Sequence, residues 1–146
     1  VLLDDDNAVI DEYETLIFPG CKLPAEITKI TGITDDDLRG QPIWVAVMDE
    51  IKRRFAAADR MVAHNLPFDT RLVQMELDRH GIKRWPWPQH QVCTVQEWYE
   101  HYGYRPKLIN LYEDLTGEPF EQKHRALDDV MKLAEVWRIT DARSTD

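Results

Sequence analysis

The order of apolar and polar residues along the chain predicts short strands alternating with amphipathic helices. Residues 1–3 and 8–10 are apolar around a polar turn, which predicts a hairpin whose second strand could run on to residue 18. Short apolar runs at 61–63 and 91–94 predict two further strands. The spacing of other apolar residues predicts a short helical turn and loop between 24 and 34, followed by five helices. Four of them cover 42–58, 95–102, 108–116 and 125–140, and the fifth follows the strand at 61–63 and ends near residue 80.

This succession places the chain in the α/β fold class, because a helix followed by a buried strand is the building unit of that class. No internal repeat, low-complexity segment or linker interrupts the 146 residues, which are enough to bury a core. We therefore expect a single domain over residues 1–140 and a polar tail over 141–146.

Composition narrows the class of protein further. Hydrophobic residues make up 43% and charged residues 31%, and no apolar run approaches the roughly 20 residues that span a bilayer. Cys21 and Cys93 lack metal-ligand spacing and no secretory signal opens the chain, so a cytoplasmic setting without membrane contact is expected. The net charge of −9 argues against a broad footprint on nucleic acid, but it allows a small site where bound metal ions supply positive charge.

The segment 123–129, at the start of the last predicted helix, carries the first candidate chemistry. On a helical wheel Asp128 falls on the solvent side, whereas Asp129 falls at the edge of the apolar stripe. An ionised carboxylate that faces a packed surface needs a cation or hydrogen bonds. His124, just ahead of it, can take up a proton near neutral pH. The structural alternative is that both side chains complement the backbone donors of a helix start.

Two other features allow both a functional and a structural interpretation. Asp69 projects near the middle of the apolar face of the helix that ends near residue 80, although an aspartate in a first turn is also favoured by the helix dipole. Trp85, Trp87 and Trp98 lie near the basic pair 83–84. Such a cluster can stack on bases, but packing over the core is the more common role.

Two inward-facing aspartates with a neighbouring histidine suit a hydrolase that uses divalent metal ions. Carboxylate oxygens prefer Mg²⁺ or Mn²⁺, and two such ions about 4 Å apart can activate water and stabilise the leaving oxygen of a phosphodiester. A neutral histidine would deprotonate the attacking water. Two aspartates are too few to hold two ions firmly, so further carboxylates are required.

Two motifs make the resemblance to a known family specific. Residues 64–69, His-Asn-Leu-Pro-Phe-Asp, resemble the HNxxFD second motif of the DEDDh (DnaQ-like) 3′→5′ exonucleases. Residues 124–129, His-Arg-Ala-Leu-Asp-Asp, resemble the HxAxxD third motif of that family. Residues 26–34 are similar to the loop that precedes the family's first long helix. The resemblance covers nearly the whole chain, and the two motifs in this order are more specific than either alone.

The resemblance implies a ribonuclease-H-like α/β fold, with a mixed, five-stranded central sheet flanked by helices. It implies that Asp129 binds one metal ion directly, that Asp69 serves a second ion through water, and that His124 is the general base. The two ions would be Mg²⁺ or Mn²⁺. The resemblance also places Glu26 and Thr31 on the substrate side, and His64 and Phe68 in the pocket for the terminal nucleotide. Phe68 suits a position in the core equally well.

The first motif of the family, Asp-x-Glu on the first strand, is absent from the chain. The run 4–6 of three aspartates cannot easily replace it, because that run lies in the predicted hairpin turn. The missing strand is normally central, so a sheet without it should leave unpaired backbone groups and an exposed apolar seam. We therefore expect the natural protein to have an additional N-terminal piece of roughly 15 to 20 residues.

The sequence thus predicts a metal-dependent 3′→5′ exonuclease that releases nucleoside monophosphates from single-stranded or frayed DNA 3′ ends, in proofreading or end trimming. A polymerase or another nucleic-acid-processing protein is the expected partner. RNA and small phosphodiesters are alternative substrates, since contacts to a 2′-hydroxyl cannot be read from spacing. The alternative from another class is a catalytically silent module of the same fold that binds nucleic acid or a protein partner.

Overall fold

The structure is a computed structural model that describes residues 1–120 and 126–144, with side chains up to residue 143. Strands and helices follow one another nearly in the predicted order. They are β1 (Leu2–Leu3), β2 (Val9–Asp11), α1 (Ala25–Thr31), α2 (Asp35–Leu38), α3 (Trp44–Ala57), β3 (Arg60–Ala63), α4 (Leu66–Arg79), β4 (His90–Cys93), α5 (Thr94–Tyr102), α6 (Leu108–Thr116) and α7 (Ala126–Ser144). Within the described residues, no helix combines the length and apolar character needed to cross a membrane.

The strands of the described chain form two separate pairs. β1 and β2 are antiparallel, with Leu2 opposite Asp11 and Leu3 opposite Val9. β3 and β4 are parallel and stay in register from Arg60 opposite His90 to the ends of both strands. Antiparallel and parallel pairing therefore occur together beside helices, which agrees with the predicted mixed α/β class.

A groove of about 510 Å³ lies between the two strand pairs. Leu2 of β1 and Val62 of β3 line it from opposite sides, and α7 contributes Val130, Leu133 and Trp137. Polar and charged side chains line the groove as well, so an apolar seam left by a missing central strand stays a prediction. The described residues thus contain two strand pairs where the resemblance implied one five-stranded sheet, because β1 and β3 are not hydrogen-bonded to each other.

Most of the buried side chains of the described residues that pack on one another fall into two groups. The larger joins α5, α6 and α7 through Trp98, Leu111, Tyr112, Phe120 and Val136. The smaller surrounds the ends of β3 and β4 and holds the start of α4 in place. Because β3 leads directly into α4, this smaller group fixes the position of the segment that carries the second motif.

The hairpin is fastened to α7 through Asn7. Its side-chain oxygen accepts a 2.9 Å hydrogen bond from Trp137 Nε1, and its amide nitrogen donates to Asp141 Oδ2 at 3.0 Å. Arg60 of β3 also contacts Asp141, at 3.1 Å. These bonds support the last turns of α7, which continues to Ser144. The predicted polar tail over 141–146 is corrected accordingly, since residues 141–144 are helical.

Two predicted boundaries also change. β2 ends at Asp11 instead of running on to residue 18, and the Asp11 carboxylate there lies 2.9 Å from Arg54 Nε of α3. The helix α3 begins at Trp44, two residues later than predicted, because Ile43 is extended at the N-cap position. The packing interpretation of the tryptophans is confirmed: the rings of Trp85 and Trp87 each lie 5.5 Å from the ring of Phe55.

Candidate active site

The turn between β3 and α4 presents the second motif. Ala63 at the end of β3 and Leu66 at the start of α4 are both buried, so the two polar residues between them are held in a short connection. Asn65 adopts a left-handed conformation (φ +69°) that asparagine tolerates better than most residues. A proline in the first turn suits a helix start, because its missing N–H would have no partner inside the helix.

His64 is held by hydrogen bonds at both ring nitrogens. Nδ1 lies 2.9 Å from the hydroxyl of the buried Thr94, and Nε2 lies 3.0 Å from the carbonyl oxygen of Pro106. Burial lowers the pKa of His64, and the nearby charge of Arg105 acts in the same direction. The neutral imidazole therefore positions the turn. Its predicted contact with a terminal nucleotide stays a prediction.

Asp69 lies half-buried in the first turn of α4. Burial raises the pKa of its carboxyl group, and a hydrogen bond from its own backbone acts weakly against this shift. Removing a charged carboxylate from water is costly unless a cation lies close to it. Asp69 is therefore a carboxylate whose charged form would gain from a bound metal ion.

The apolar face predicted for α4 divides into a buried and an exposed part. Leu66 and Leu77 are buried, and Leu66 packs with Ala63 and Cys93 at the ends of β3 and β4. The other apolar side chains are largely exposed: Phe68 (57%), Leu72 (47%) and Met75 (48%). The apolar face predicted for α4 is therefore packed only in part, because helical spacing identifies an apolar stripe without showing how much of it meets the sheet. The core alternative that the sequence left open for Phe68 is contradicted by its exposure. Phe68 is thus an exposed ring one residue before Asp69.

The first turn of α7 presents the third motif. Asp128 is exposed and Asp129 is half-buried, which confirms the orientation predicted from the helical wheel. The buried residues Val136 and Trp137 mark the face by which α7 packs on the rest of the fold. His124, the predicted general base, lies outside the described residues.

Glu26 and Thr31 lie at opposite ends of the short helix α1, which has no buried residue. Glu26 is exposed in the first turn. The hydroxyl of Thr31 donates to the carbonyl oxygen of Ile27 at 2.8 Å and accepts from the N–H of Ile33 at 3.2 Å. Thr31 therefore helps to end the helix, and a substrate contact by either residue stays a prediction.

The donor set can be compared with the needs of divalent ions. Asp69 and Asp129 offer carboxylate oxygens, which Mg²⁺ and Mn²⁺ prefer. Within residues 1–120 and 126–144, no group of three or more His, Cys, Asp or Glu side chains could hold a metal ion. The two aspartates therefore suit a partial site, and their convergence on a common site for two ions stays a prediction.

One contact at this turn has no counterpart in the motif prediction. Arg105 Nη2 donates a 2.8 Å hydrogen bond to Oδ1 of Asn65. Pro106 is the residue that holds His64, so the loop over residues 103–107 is attached to the second motif at two points. The only sequence signal is the basic, proline-containing run Arg105-Pro106-Lys107, which motif spacing does not link to a segment 40 residues earlier.

An α/β frame that presents a half-buried aspartate in the first turn of each of two helices fits the nuclease class that the motifs predict. A family model described as an exonuclease, RNase_T, matches residues 1–137, and the chain belongs to this exonuclease family. The prediction of a DnaQ-like, ribonuclease-H-like phosphodiester hydrolase is thereby confirmed at the level of the family.

Relatives with curated names agree with this assignment. The chain is 36% identical over 139 residues to a DNA polymerase III subunit epsilon of Treponema pallidum, in a match that covers 91% of the chain and 62% of the relative. It is 27% identical over 135 residues to a DNA polymerase III PolC-type of Clostridium perfringens, and 29% identical over 139 residues to one of Listeria innocua. Each of these two matches covers 92% of the chain and 9% of the relative. The chain thus spans only part of the relatives' length.

Proposed function

We propose that this domain removes nucleotides one at a time from the 3′ end of DNA by divalent-metal-dependent hydrolysis. The observation that carries the proposal is the pair of half-buried aspartates, Asp69 and Asp129, in the first turns of α4 and α7. The relatives named as DNA polymerase III subunits support DNA as the substrate and a polymerase as the partner. A single-stranded or frayed end is the form of DNA that a nuclease can grip by its terminal bases. The proposed location is the cytoplasm.

The roles of the site residues follow from their chemistry. Asp129 would bind Mg²⁺ or Mn²⁺ directly, and Asp69 would bind a second ion through water. When bound, two such ions supply the positive charge that stabilises the attacking and leaving oxygens of a phosphodiester. His124 would accept the proton of the attacking water. Phe68, which is exposed and precedes Asp69 in the chain, would stack on the terminal base, while His64 keeps the turn in position.

A site for two ions needs more carboxylates than these two aspartates provide. We propose that the further ligands stand on an extended segment that lies in the groove between β1 and β3. The groove supports this, because β1 and β3 both contribute to its lining and α7 contributes mostly apolar side chains. One inserted strand has two edges, so it could pair with β1 and β3 at once. Sequencing of the natural protein tests this: an Asp-x-Glu on an apolar strand ahead of Val1 supports it, and a natural protein without one contradicts it.

The direction of hydrolysis is tested with a single-stranded oligonucleotide labelled at its 5′ end and incubated with Mg²⁺. The proposal predicts a ladder of labelled products shortened from the 3′ end, together with free nucleoside monophosphates and no products in EDTA. The variants Asp129→Asn and His124→Ala should remove the ladder. An intact protein that binds the oligonucleotide but never shortens it would instead support the catalytically silent alternative. A preference for RNA or for dinucleotides would replace the DNA-end substrate.

A further inference from the structure

The loop over residues 103–107 joins α5 to α6 and lies directly against the second motif. Pro106 accepts the hydrogen bond of His64, and Arg105 donates to Asn65. Asn65 caps α4 about one helical turn before Asp69. The loop is therefore attached to the second motif about one helical turn ahead of the candidate metal ligand.

Tyr104 is an exposed ring on this loop, with 51% of its surface accessible. Its ring lies 5.7 Å from that of Tyr102 at an angle of 66°. Tyr102 is itself fixed, since its hydroxyl donates to Asp114 at 3.1 Å and its ring lies 5.1 Å from that of His101. Burial and the Asp114 carboxylate raise the pKa of Tyr102 to about 12, so this support stays neutral. The ring of Tyr104 thus contacts the ring of Tyr102, and about half of the Tyr104 surface is open to solvent.

Two exposed cations follow Tyr104 in the sequence. Arg105 and Lys107 are both exposed, in a chain whose net charge is −9. Arg105 uses one nitrogen for Asn65, and a guanidinium has five N–H donors in all. An aromatic platform beside cations is the arrangement by which proteins hold single-stranded nucleic acid without regard to sequence, the ring stacking on bases and the cations meeting phosphates.

We propose that Tyr104, Arg105 and Lys107 form a subsite for the single-stranded DNA immediately upstream of the terminal nucleotide. Tyr104 stacks on a base, and the two cations contact backbone phosphates. The inference rests on the proposed function, because the subsite gains its meaning from a 3′ end bound near Asp69. Such a subsite explains how a domain with a net charge of −9 can bind a short length of single-stranded DNA.

Two substrates separate this subsite from the hydrolytic site. One is a dodecamer of thymidylate, and the other is the p-nitrophenyl ester of thymidine 5′-monophosphate, which has no upstream strand. Tyr104→Ala should raise KM for the dodecamer roughly 5- to 100-fold, the range expected for loss of one stacked base, and leave kcat/KM for the ester unchanged. Tyr104→Phe should behave like the unsubstituted protein. Tyr99→Ala, which removes an equally exposed tyrosine from α5, is the matched control and should change neither substrate.

The outcomes are distinct. Equal kinetics of Tyr104→Ala and the unsubstituted protein on the dodecamer would overturn the subsite, as would an equal loss on both substrates. If the unsubstituted protein hydrolyses neither substrate, the proposed function fails, and the subsite is then decided by binding alone. In that case fluorescence anisotropy of a 5′-labelled dodecamer in EDTA should show weaker binding by Tyr104→Ala than by Tyr99→Ala. Equal binding by the two variants would overturn it.

Discussion

His64 Nε2 donates a 3.0 Å hydrogen bond to the carbonyl oxygen of Pro106, 42 residues further along the chain. A carbonyl oxygen can only accept, so Nε2 must carry the proton, and Nδ1 of the neutral ring accepts from the hydroxyl of Thr94. One side chain thus joins the second motif to the start of α5 and to the loop before α6. A positively charged ring would have to break the bond at Nδ1 or reverse it.

This arrangement predicts that mild acid destabilises the protein through His64. The pKa of His64 is lowered in the folded state, mainly by burial, so the unfolded chain binds a proton first as the pH falls. The contribution of neutral His64 to the free energy of unfolding is therefore fully present above the unfolded pKa of about 6.5. Below that pH the free energy of unfolding decreases, by at most about 1.4 kcal/mol per pH unit from this residue. Urea unfolding followed by tryptophan fluorescence at pH 7.5, 6.5 and 5.5 measures the decrease.

The control for that experiment is the variant His64→Gln. It should be less stable at pH 7.5, and its stability should depend less steeply on pH over the same range. Parallel pH profiles for the two proteins would show that other groups cause the decrease.

We predict that the side-chain hydrogen bonds of Asn7 are the main polar contacts that hold the hairpin on α7. Asn7→Gly keeps the left-handed backbone (φ +60°) but removes the side chain that accepts from Trp137 Nε1 and donates to Asp141 Oδ2. Loss of these hydrogen bonds should lower the free energy of unfolding by about 1–3 kcal/mol. Asp5→Ala, at an exposed position of the same turn, should change it by less than about 0.5 kcal/mol. Similar urea midpoints for both variants would contradict the role of Asn7.

We predict that the charged Asp69 carboxylate lowers the free energy of unfolding of the metal-free protein. Burial raises the pKa of Asp69 above its unfolded value, so the cost appears as the pH rises through that range and is present at neutral pH. Asp69→Asn should therefore unfold at a higher temperature than the unsubstituted protein in EDTA at pH 7. Added Mg²⁺ should stabilise the unsubstituted protein more than the variant, since a ligand that binds the folded state stabilises it.

Asp128→Asn provides the matched control, because Asp128 is also a first-turn aspartate but is exposed. Its neutralisation removes a favourable interaction with the helix dipole, so its midpoint should be unchanged or slightly lower. A midpoint for Asp69→Asn at or below that of Asp128→Asn would show that burial does not govern the Asp69 charge.

The parts of the structure that could be predicted from sequence are those set by local periodicity. The helices α3, α4 and α7 carry apolar residues at helical spacing, and the same geometry separated Asp129 from Asp128. Short motifs were also sufficient to identify the family, because catalytic chemistry restricts both residue type and spacing at the start of a helix.

What could not be predicted depends on contacts between distant segments. No local pattern shows that the imidazole of His64 is engaged by Thr94 and Pro106, or that Arg105 reaches Asn65. The choice between the core and the substrate side for Phe68 could not be made from the sequence for the same reason, since the sheet covers only part of the apolar stripe of α4. The ion pair between Asp11 at the end of β2 and Arg54, which lies 43 residues later, could not be predicted from local pattern either.

The most direct test of the central claim compares Asp129→Asn with Asp128→Asn in the intact protein. The claim is that the half-buried carboxylate, and not its exposed neighbour, serves metal-dependent hydrolysis at a DNA 3′ end. The measurement is kcat/KM for Mg²⁺-dependent shortening of a 5′-labelled thymidylate dodecamer. Asp129→Asn should lose at least about 100-fold, more than is typical for residues that only support a metal ligand, while Asp128→Asn should stay within about twofold of the unsubstituted protein. Equal activity of the two variants would contradict the account.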